Sequence, residues 1–336
     1  VPLEINPHDV PVLLLYDPDP SWTPQERDGV PSLDEAIANA GHPTTLVPVE
    51  DDNIAAILSR YDPISYIVFN WCEGIPGKPH SDAMVAQTLE ALGFTFTGSS
   101  SLTLALAEDR YRIKQILDQA DIPTPGWRIY EHPAAGGWNR FPAIVKTANE
   151  HCSIGITSES IVMTETELCE RIDYILRRYN QPALVEDFID GREFHVSFWG
   201  DDKIEMLPPA EIDFSLMSDM RDRLLTYDSK CTPGSLAFEA IKIRMPVELD
   251  KEDMQTLESA ARAAYMSIGC RDYGRIDIRE RDGIYYVLDI NPNADITANA
   301  SMARAAALSG YSYGEMGSRI AMMAAKRHPV WGAIKK

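Results

Sequence analysis

Two short runs near the carboxyl end of this 336-residue chain hold the residue types best suited to chemistry. They are Gly274-Arg275-Ile276-Asp277 and Leu288-Asp289-Ile290-Asn291-Pro292. Side chains on a strand alternate between faces, so Arg275 and Asp277 share one face, as do Asp289 and Asn291. If the two strands pair through the Arg281-Asp282-Gly283 turn, three oxygen-bearing side chains and one guanidinium converge. Carboxylate and amide oxygens completed by phosphate oxygens suit Mg²⁺, and a neighbouring arginine suits an oxyanion or phosphate. The alternative is a plain polar face on an antiparallel hairpin.

Three other features carry less weight singly. Lys146 ends the apolar run Pro142 to Val145 and precedes a polar stretch, Thr147 to Gly155. A lysine so placed can hold phosphate oxygens with help from loop N–H groups, or it can be an ordinary surface lysine. Glu186-Asp187-Phe188-Ile189, followed by the Asp190-Gly191 turn and Glu193, can offer backbone groups to a purine edge and a carboxylate to a ribose. It can equally be a hairpin with exposed acids. Cys152 beside His151 raises the possibility of a thiol nucleophile, but adjacent residues in extended chain point apart. Gly74 to Lys78 lacks the Walker spacing, and GxGxxG, HExxH and GxSxG are absent.

The elements that must position these residues follow from periodicity. Strands are expected at Pro11 to Tyr16, Thr44 to Val49 and Ser65 to Asn70, with helices at Leu33 to Ala40 and Ile54 to Arg60 between them. That rhythm implies a parallel sheet with helices on its faces. A helix from Asp82 to Leu92 and a short strand at Phe94 to Thr97 complete an N-terminal α/β lobe, residues 1–108. A central lobe, residues 109–190, opens with a helix at Asp109. It continues through strands at Ala143 to Lys146 and Ile156 to Met163, a helix at Glu165 to Tyr179 and a strand at Ala183 to Phe188. The C-terminal lobe, residues 191–336, holds strands at Glu193 to Trp199 and Lys203 to Leu207, and then a looser stretch from Asp213 to Lys230. A helix at Asp250 to Ile268, strands at Asp272 to Arg279 and Ile284 to Ile290, and helices at Ala298 to Leu308 and Tyr313 to Lys326 follow.

Composition narrows the function classes. Apolar residues make up 45% and charged residues 24%, as in an ordinary soluble globular protein. No apolar run approaches the ~20 residues of a membrane helix, and no signal peptide is visible at Val1 to Val10. A cytoplasmic protein without a membrane partner is expected. The formal net charge of -20 opposes a nucleic-acid partner, so any phosphate ligand must meet locally concentrated lysines and arginines. Five scattered cysteines with no CxxC pair favour a reducing compartment over disulfides or zinc.

In order and spacing, these segments resemble the D-alanine–D-alanine ligase branch of the ATP-grasp superfamily from about Tyr66 to Ala325. The resemblance is carried by Phe94-Thr95-Phe96-Thr97-Gly98-Ser99, Asp109-Arg110 with Lys114, and Ile144-Val145-Lys146. It continues through Val185-Glu186-Asp187-Phe188, Gly191-Arg192-Glu193-Phe194, Thr226-Tyr227-Asp228-Ser229-Lys230 and the Asp277, Asp289, Asn291 set. It implies a three-lobe ATP-grasp fold with ATP between the central and C-terminal lobes, and an ADP-forming ligase that joins a carboxylate to an amine through an acylphosphate.

By the same resemblance Lys146 and Lys230 would contact phosphates, and Arg110 would stand in for a family lysine. Glu186 and the backbone of Asp187 and Ile189 would meet adenine, and Glu193 the ribose. Asp277, Asp289 and Asn291 would hold Mg²⁺ (or Mn²⁺), with Asp289 in place of a longer glutamate, and Arg275 would stabilise the tetrahedral intermediate. Amino acids or small carboxylates are the implied substrates and a homodimer the implied assembly. The chain departs from the family at His151-Cys152 in the covering loop, at Lys230-Cys231 and at the turn Ala294-Asp295-Ile296-Thr297. It departs again at Ala300, in place of a serine, and near Glu26 and Asp28, only loose counterparts of the glutamate that meets the first amine. The ATP residues are thus better kept than the substrate pockets. A D-alanine–D-alanine ligase and a non-catalytic nucleotide-binding module are the alternatives.

Overall fold

A computed structural model describes residues 6–18, 32–133, 136–150, 153–201, 203–226, 228–229, 232 and 234–335. Three sheets organise them. The first is parallel, in the order β2-β1-β3-β4, from Val12–Tyr16 (β1), Thr44–Pro48 (β2), Ile67–Trp71 (β3) and Thr95–Phe96 (β4). A parallel sheet is stable only when both faces are covered. Leu13 and Leu15 point into a core with Val85 and Leu89 of the helix Asp82–Ala91. Val12 and Leu14 point the other way, onto Leu33 and Ile37 of the helix Leu33–Asn39 and onto Met316 and Ile320 of the helix Tyr313–Ala325. The far end of the chain therefore returns to close the first core.

The second sheet is antiparallel, in the order β5-β8-β6-β7: Trp127–Tyr130 (β5), Ala143–Thr147 (β6), Ile161–Val162 (β7) and Ala183–Asp187 (β8). The helix Glu165–Tyr179 covers it, with the bounds its periodicity predicts. Thr164 caps it by accepting from Glu167 N, Leu168, Ile172 and Ile175 form the buried stripe, and Asn180 ends it in the left-handed region at φ 52°. The strand expected from Ile156 to Met163 is cut to two residues. Arg171 of the covering helix takes Gly155 O, Thr157 Oγ1 and Ser160 Oγ, and the chain there forms a 3-10 turn over Ser158–Ser160.

The third sheet runs β12-β11-β9-β13-β14, from Arg192–Trp199 (β9), Ala210–Asp213 (β11), Lys242–Arg244 (β12), Tyr273–Arg281 (β13) and Ile284–Asn291 (β14), with Glu205–Met206 (β10) beside β9. Leu257, Ala261, Ala264 and Tyr265 of the helix Lys251–Ser267 pack beneath it, with Ile113 and Leu117 of the helix Arg110–Gln119. The helix Ser101–Glu108 and strands β5, β11 and β12 are additions to the elements read from sequence. The corner at Asp190-Gly191 is no hairpin, since β8 and β9 lie in different sheets. A Cβ on Gly191 would stand 1.8 Å from the Glu280 carbonyl oxygen, so this crossing accepts only glycine.

The first and third sheets are joined by a charged junction around the buried Asp272. Arg327 meets Asp272 with both nitrogens, at 2.6 and 2.7 Å, pairs with Asp201, and donates to Phe96 O. Gly98 N donates to Asp272 Oδ2 at 2.8 Å, and Ser99 N to Asn293 Oδ1 at 2.9 Å. Among the described residues no helix is long and apolar enough to cross a membrane.

Candidate active site

The β13–β14 hairpin builds the floor of the cleft between the second and third sheets. Asp282 and Gly283 take φ of 56° and 77°, the pair of left-handed positions a two-residue turn needs. Pairing starts at Arg281 with Ile284 and runs to Ile278 with Val287, then slips by one residue. Asp277 thereby faces Asp289, and Arg275 faces Asn291. Without the slip Asp277 would face Leu288, and Asp289 and Asn291 would turn to the opposite side. The convergence expected of these four residues is present, and it depends on this bulge. The same slip leaves both Val287 and Ile290 in the core below.

Arg275 grips Asp277 with two hydrogen bonds, Nε to Oδ1 at 2.6 Å and Nη2 to Oδ2 at 3.0 Å. Asn291 Nδ2 donates to Asp277 Oδ2 at 3.1 Å, and His195 Nε2 stands 3.7 Å from Oδ1. Arg110, on the other side, donates from Nε to Asp289 Oδ1 at 3.2 Å and from Nη1 to Thr147 O at 2.9 Å. Burial opposes ionisation of both aspartates, but the cations outweigh it. Arg275 and His195 hold Asp277 below the usual carboxylate range, and Lys146, Arg110 and Lys114 do the same for Asp289.

Lys146 is buried, which removes the surface-lysine alternative. Its ammonium lies 2.7 Å from Glu186 Oε2, and Lys114 Nζ lies 2.5 Å from Glu186 Oε1. Lys114 also donates to Thr124 Oγ1 at 2.6 Å, which donates in turn to Val287 O at 2.9 Å. Burial lowers the Lys114 pKa despite Glu186, while Glu186 and Asp289 overcome burial and raise that of Lys146. Glu186, expected at the adenine edge, thus turns its carboxylate to the two lysines. The Asp187 carboxylate is taken by Arg140 at 2.6 Å, and its N–H by Gly126 O. Ile189 and Glu193 line the same cleft, and both are held by Arg279.

Asp277, Asp289 and the Asn291 amide are hard oxygen donors on one face. Among the described residues no three His, Cys, Asp or Glu side chains cluster as a metal cage. A cation here would rest on two carboxylates, the amide turned to present its oxygen, and ligand oxygens, which is the shell Mg²⁺ accepts. The donor set fits. Lys230, Cys231, His151, Cys152, Glu26 and Asp28 lie outside the described residues.

Lys114, Arg279 and His195 escaped the sequence reading as site residues. Their signal lay in period. Arg110, Ile113, Lys114 and Leu117 share the buried face of one helix, so two cations sit on an apolar stripe. Arg279 stands two residues from Asp277, and His195 two from Glu193.

Comparison with known proteins fits this geometry. The family described as D-ala D-ala ligase C-terminus matches residues 128–321. An uncharacterized protein, y4sG, of Sinorhizobium fredii is 31% identical over 321 residues, covering 93% of this chain and 92% of its own. The D-alanine–D-alanine ligase of Desulforamulus reducens is 30% identical over 260 residues, 74% of this chain and 78% of its own. The solved D-alanine–D-alanine ligase of Bacillus anthracis, complexed with ATP, superposes with a TM-score of 0.67 at 20% identity. That superposition covers 95% of this chain and 98% of that one, and shares the fold. The chain has the ATP-grasp fold and belongs to the D-alanine–D-alanine ligase family, whose members are ATP-dependent, ADP-forming carbon–nitrogen ligases.

Proposed function

We propose that this ligase activates a small carboxylate with ATP and joins it to the amine of an amino acid or a small amino-acid-containing metabolite. The observation that carries the reading is charge placement. In a chain of formal net charge -20, Arg110, Lys114, Lys146 and Arg275 gather against three carboxylates, Glu186, Asp277 and Asp289. A local excess of cations in an acidic protein suits a polyphosphate.

In this reading Lys146, Arg110 and Lys230 hold phosphates, the backbone of Asp187 and Ile189 lies along adenine beside Glu186, and Glu193 meets the ribose. A carboxylate is a poor electrophile. Its oxygen attacks the γ-phosphorus, ADP departs, and an acylphosphate forms. The neutral amine then attacks the acyl carbon, phosphate leaves with the bonding pair, and the amine's proton passes to solvent. Arg275 stabilises the tetrahedral oxyanion. Mg²⁺ (or Mn²⁺), when bound by Asp277, Asp289 and Asn291, supplies Lewis-acid neutralisation of phosphate charge. The lobes are proposed as residues 1–108, 109–190 and 191–336, with the last two helices returning to the first.

Two features support substrates other than a pair of D-alanines. Ala300 is the N-cap of the helix Ser301–Leu308 and makes no side-chain cap hydrogen bond. Asp295 accepts from Thr297 N and adds a negative charge that acts on Arg275. The test is Mg·ATP turnover, with ADP and phosphate release followed across D- and L-amino acids and products identified by mass spectrometry. Amino-acid-dependent ADP release with an amide product is expected. D-alanyl-D-alanine as the preferred product would restore the D-alanine–D-alanine ligase alternative. Failure to bind ATP in the presence of Mg²⁺ would falsify the reading.

A further inference from the structure

Arg279 is buried at the end of the cleft away from the lysines and belongs to none of the roles above. Its guanidinium uses every nitrogen. Nε donates to Glu193 Oε2 at 2.6 Å, Nη1 to Ile189 O at 2.9 Å, and Nη2 to Arg223 O. The ring of Phe188 lies 4.9 Å from its central carbon and that of Phe214 lies 5.3 Å away. Arg223 ties the same wall a second time, through Nη1 to Asp190 at 3.0 Å and through Nε to Met217 O. One side chain thus joins strand β9, the segment leaving strand β8, and the chain from Phe214 to Arg223.

Glu193 is the consequence of interest. A carboxylate on a strand can take several rotamers. Here one oxygen is fixed by a charge-assisted hydrogen bond from a planar donor that is itself locked on two carbonyls. The carboxylate is held at one place in the cleft, with Oε1 left to accept from a ligand hydroxyl. A lysine at 279 could carry the charge but could not donate in three fixed directions.

We infer that Arg279 is a positioning residue for nucleotide selection, holding Glu193 so that the enzyme distinguishes ribonucleotides from their deoxyribose counterparts. The inference rests on the ATP-binding reading proposed above. Mg·ATP, Mg·2′-deoxy-ATP and Mg·3′-deoxy-ATP would be titrated calorimetrically against the wild type, Arg279→Lys, Arg279→Met and Glu193→Gln. The wild type should prefer ATP to at least one deoxy analogue by roughly 10-fold or more, the worth of one charge-assisted hydrogen bond. In Arg279→Lys ATP should weaken while that analogue holds, so that the ratio falls towards one; Glu193→Gln should show the same collapse. Arg279→Met should follow if it folds, and the other two variants decide the matter if it does not. Equal weakening of all three nucleotides in Arg279→Lys would mean that the arginine only packs the wall, and the inference fails. A wild type that binds ATP without ribose preference overturns it as well. A wild type that binds no ATP sinks the ligase reading first, and this one with it.

Discussion

The cleft floor and the junction at Arg327 each set an aspartate against an arginine, yet the two aspartates behave in opposite ways. On the floor, Asp277 has Arg275 to itself, with His195 near, and its carboxyl lies below the usual range. At the junction, Asp272 shares Arg327 with Asp201, and burial pushes its pKa up to about 6. The deciding quantity is the number of cations per carboxylate at a given burial. The floor sets four cations against three carboxylates, a surplus of positive charge that a ligand can use, whereas the junction sets one arginine against two aspartates and serves the fold.

The largest effect is expected of Arg327→Met. It strands Asp272 and Asp201 together, and by analogy with other buried pairs should cost about 3–5 kcal/mol in urea unfolding. A loss under about 1 kcal/mol would mean that the junction does not hold the sheets together.

The folded pKa of Asp272, about 6, exceeds the roughly 4 of an unfolded aspartate, so the native state binds its proton more tightly. Its contribution to stability is full below about pH 4 and is lost as pH rises to about 6, a fall of about 3 kcal/mol. Glu186 has the opposite sign. Burial works against its ionisation, but Lys114 and Lys146 hold it below the usual range. Its contribution is therefore full above about pH 4.3 and is lost as pH falls through its lowered value. Urea unfolding of wild type and Asp272→Asn from pH 4 to 7 separates the two, since only the wild type should carry the downward slope. Parallel profiles would sink the assignment.

The smallest effect expected, near 2.7 kcal/mol, is on turnover. Arg275→Lys keeps the charge but loses the two-pronged grip on Asp277, and should slow ADP release about 100-fold. Its thermal unfolding should move little. Equal losses of stability and activity would place the floor with the junction, as structure rather than machinery.

Much of the frame was legible in the sequence, for physical reasons. The helix Glu165–Tyr179 announced itself through Thr164, its apolar stripe and Asn180, and the β13–β14 hairpin through Asp282-Gly283. What escaped was tertiary. The crossing at Gly191 depends on the Glu280 carbonyl, 89 residues away, and the burial of Glu186 depends on two lysines from a helix and another strand. The slip in the hairpin did leave a trace, in apolar Val287 and Ile290 an odd number of residues apart yet in one core.

That slip also says which changes of length the hairpin can survive. Leu288 is supernumerary to the ladder: with its codon deleted, Val287 would still meet Ile278 and Asp289 would still meet Asp277, so both faces stay in phase. Only an apolar side chain would be missing from the cleft lining. Loss of a codon at Ile276 or Ile290 instead would throw Arg275 or Asn291, respectively, out of phase with its partner. Insertions and deletions a few positions apart in this gene are therefore unequal events, and Leu288 is the place where the active site can be reshaped by length alone.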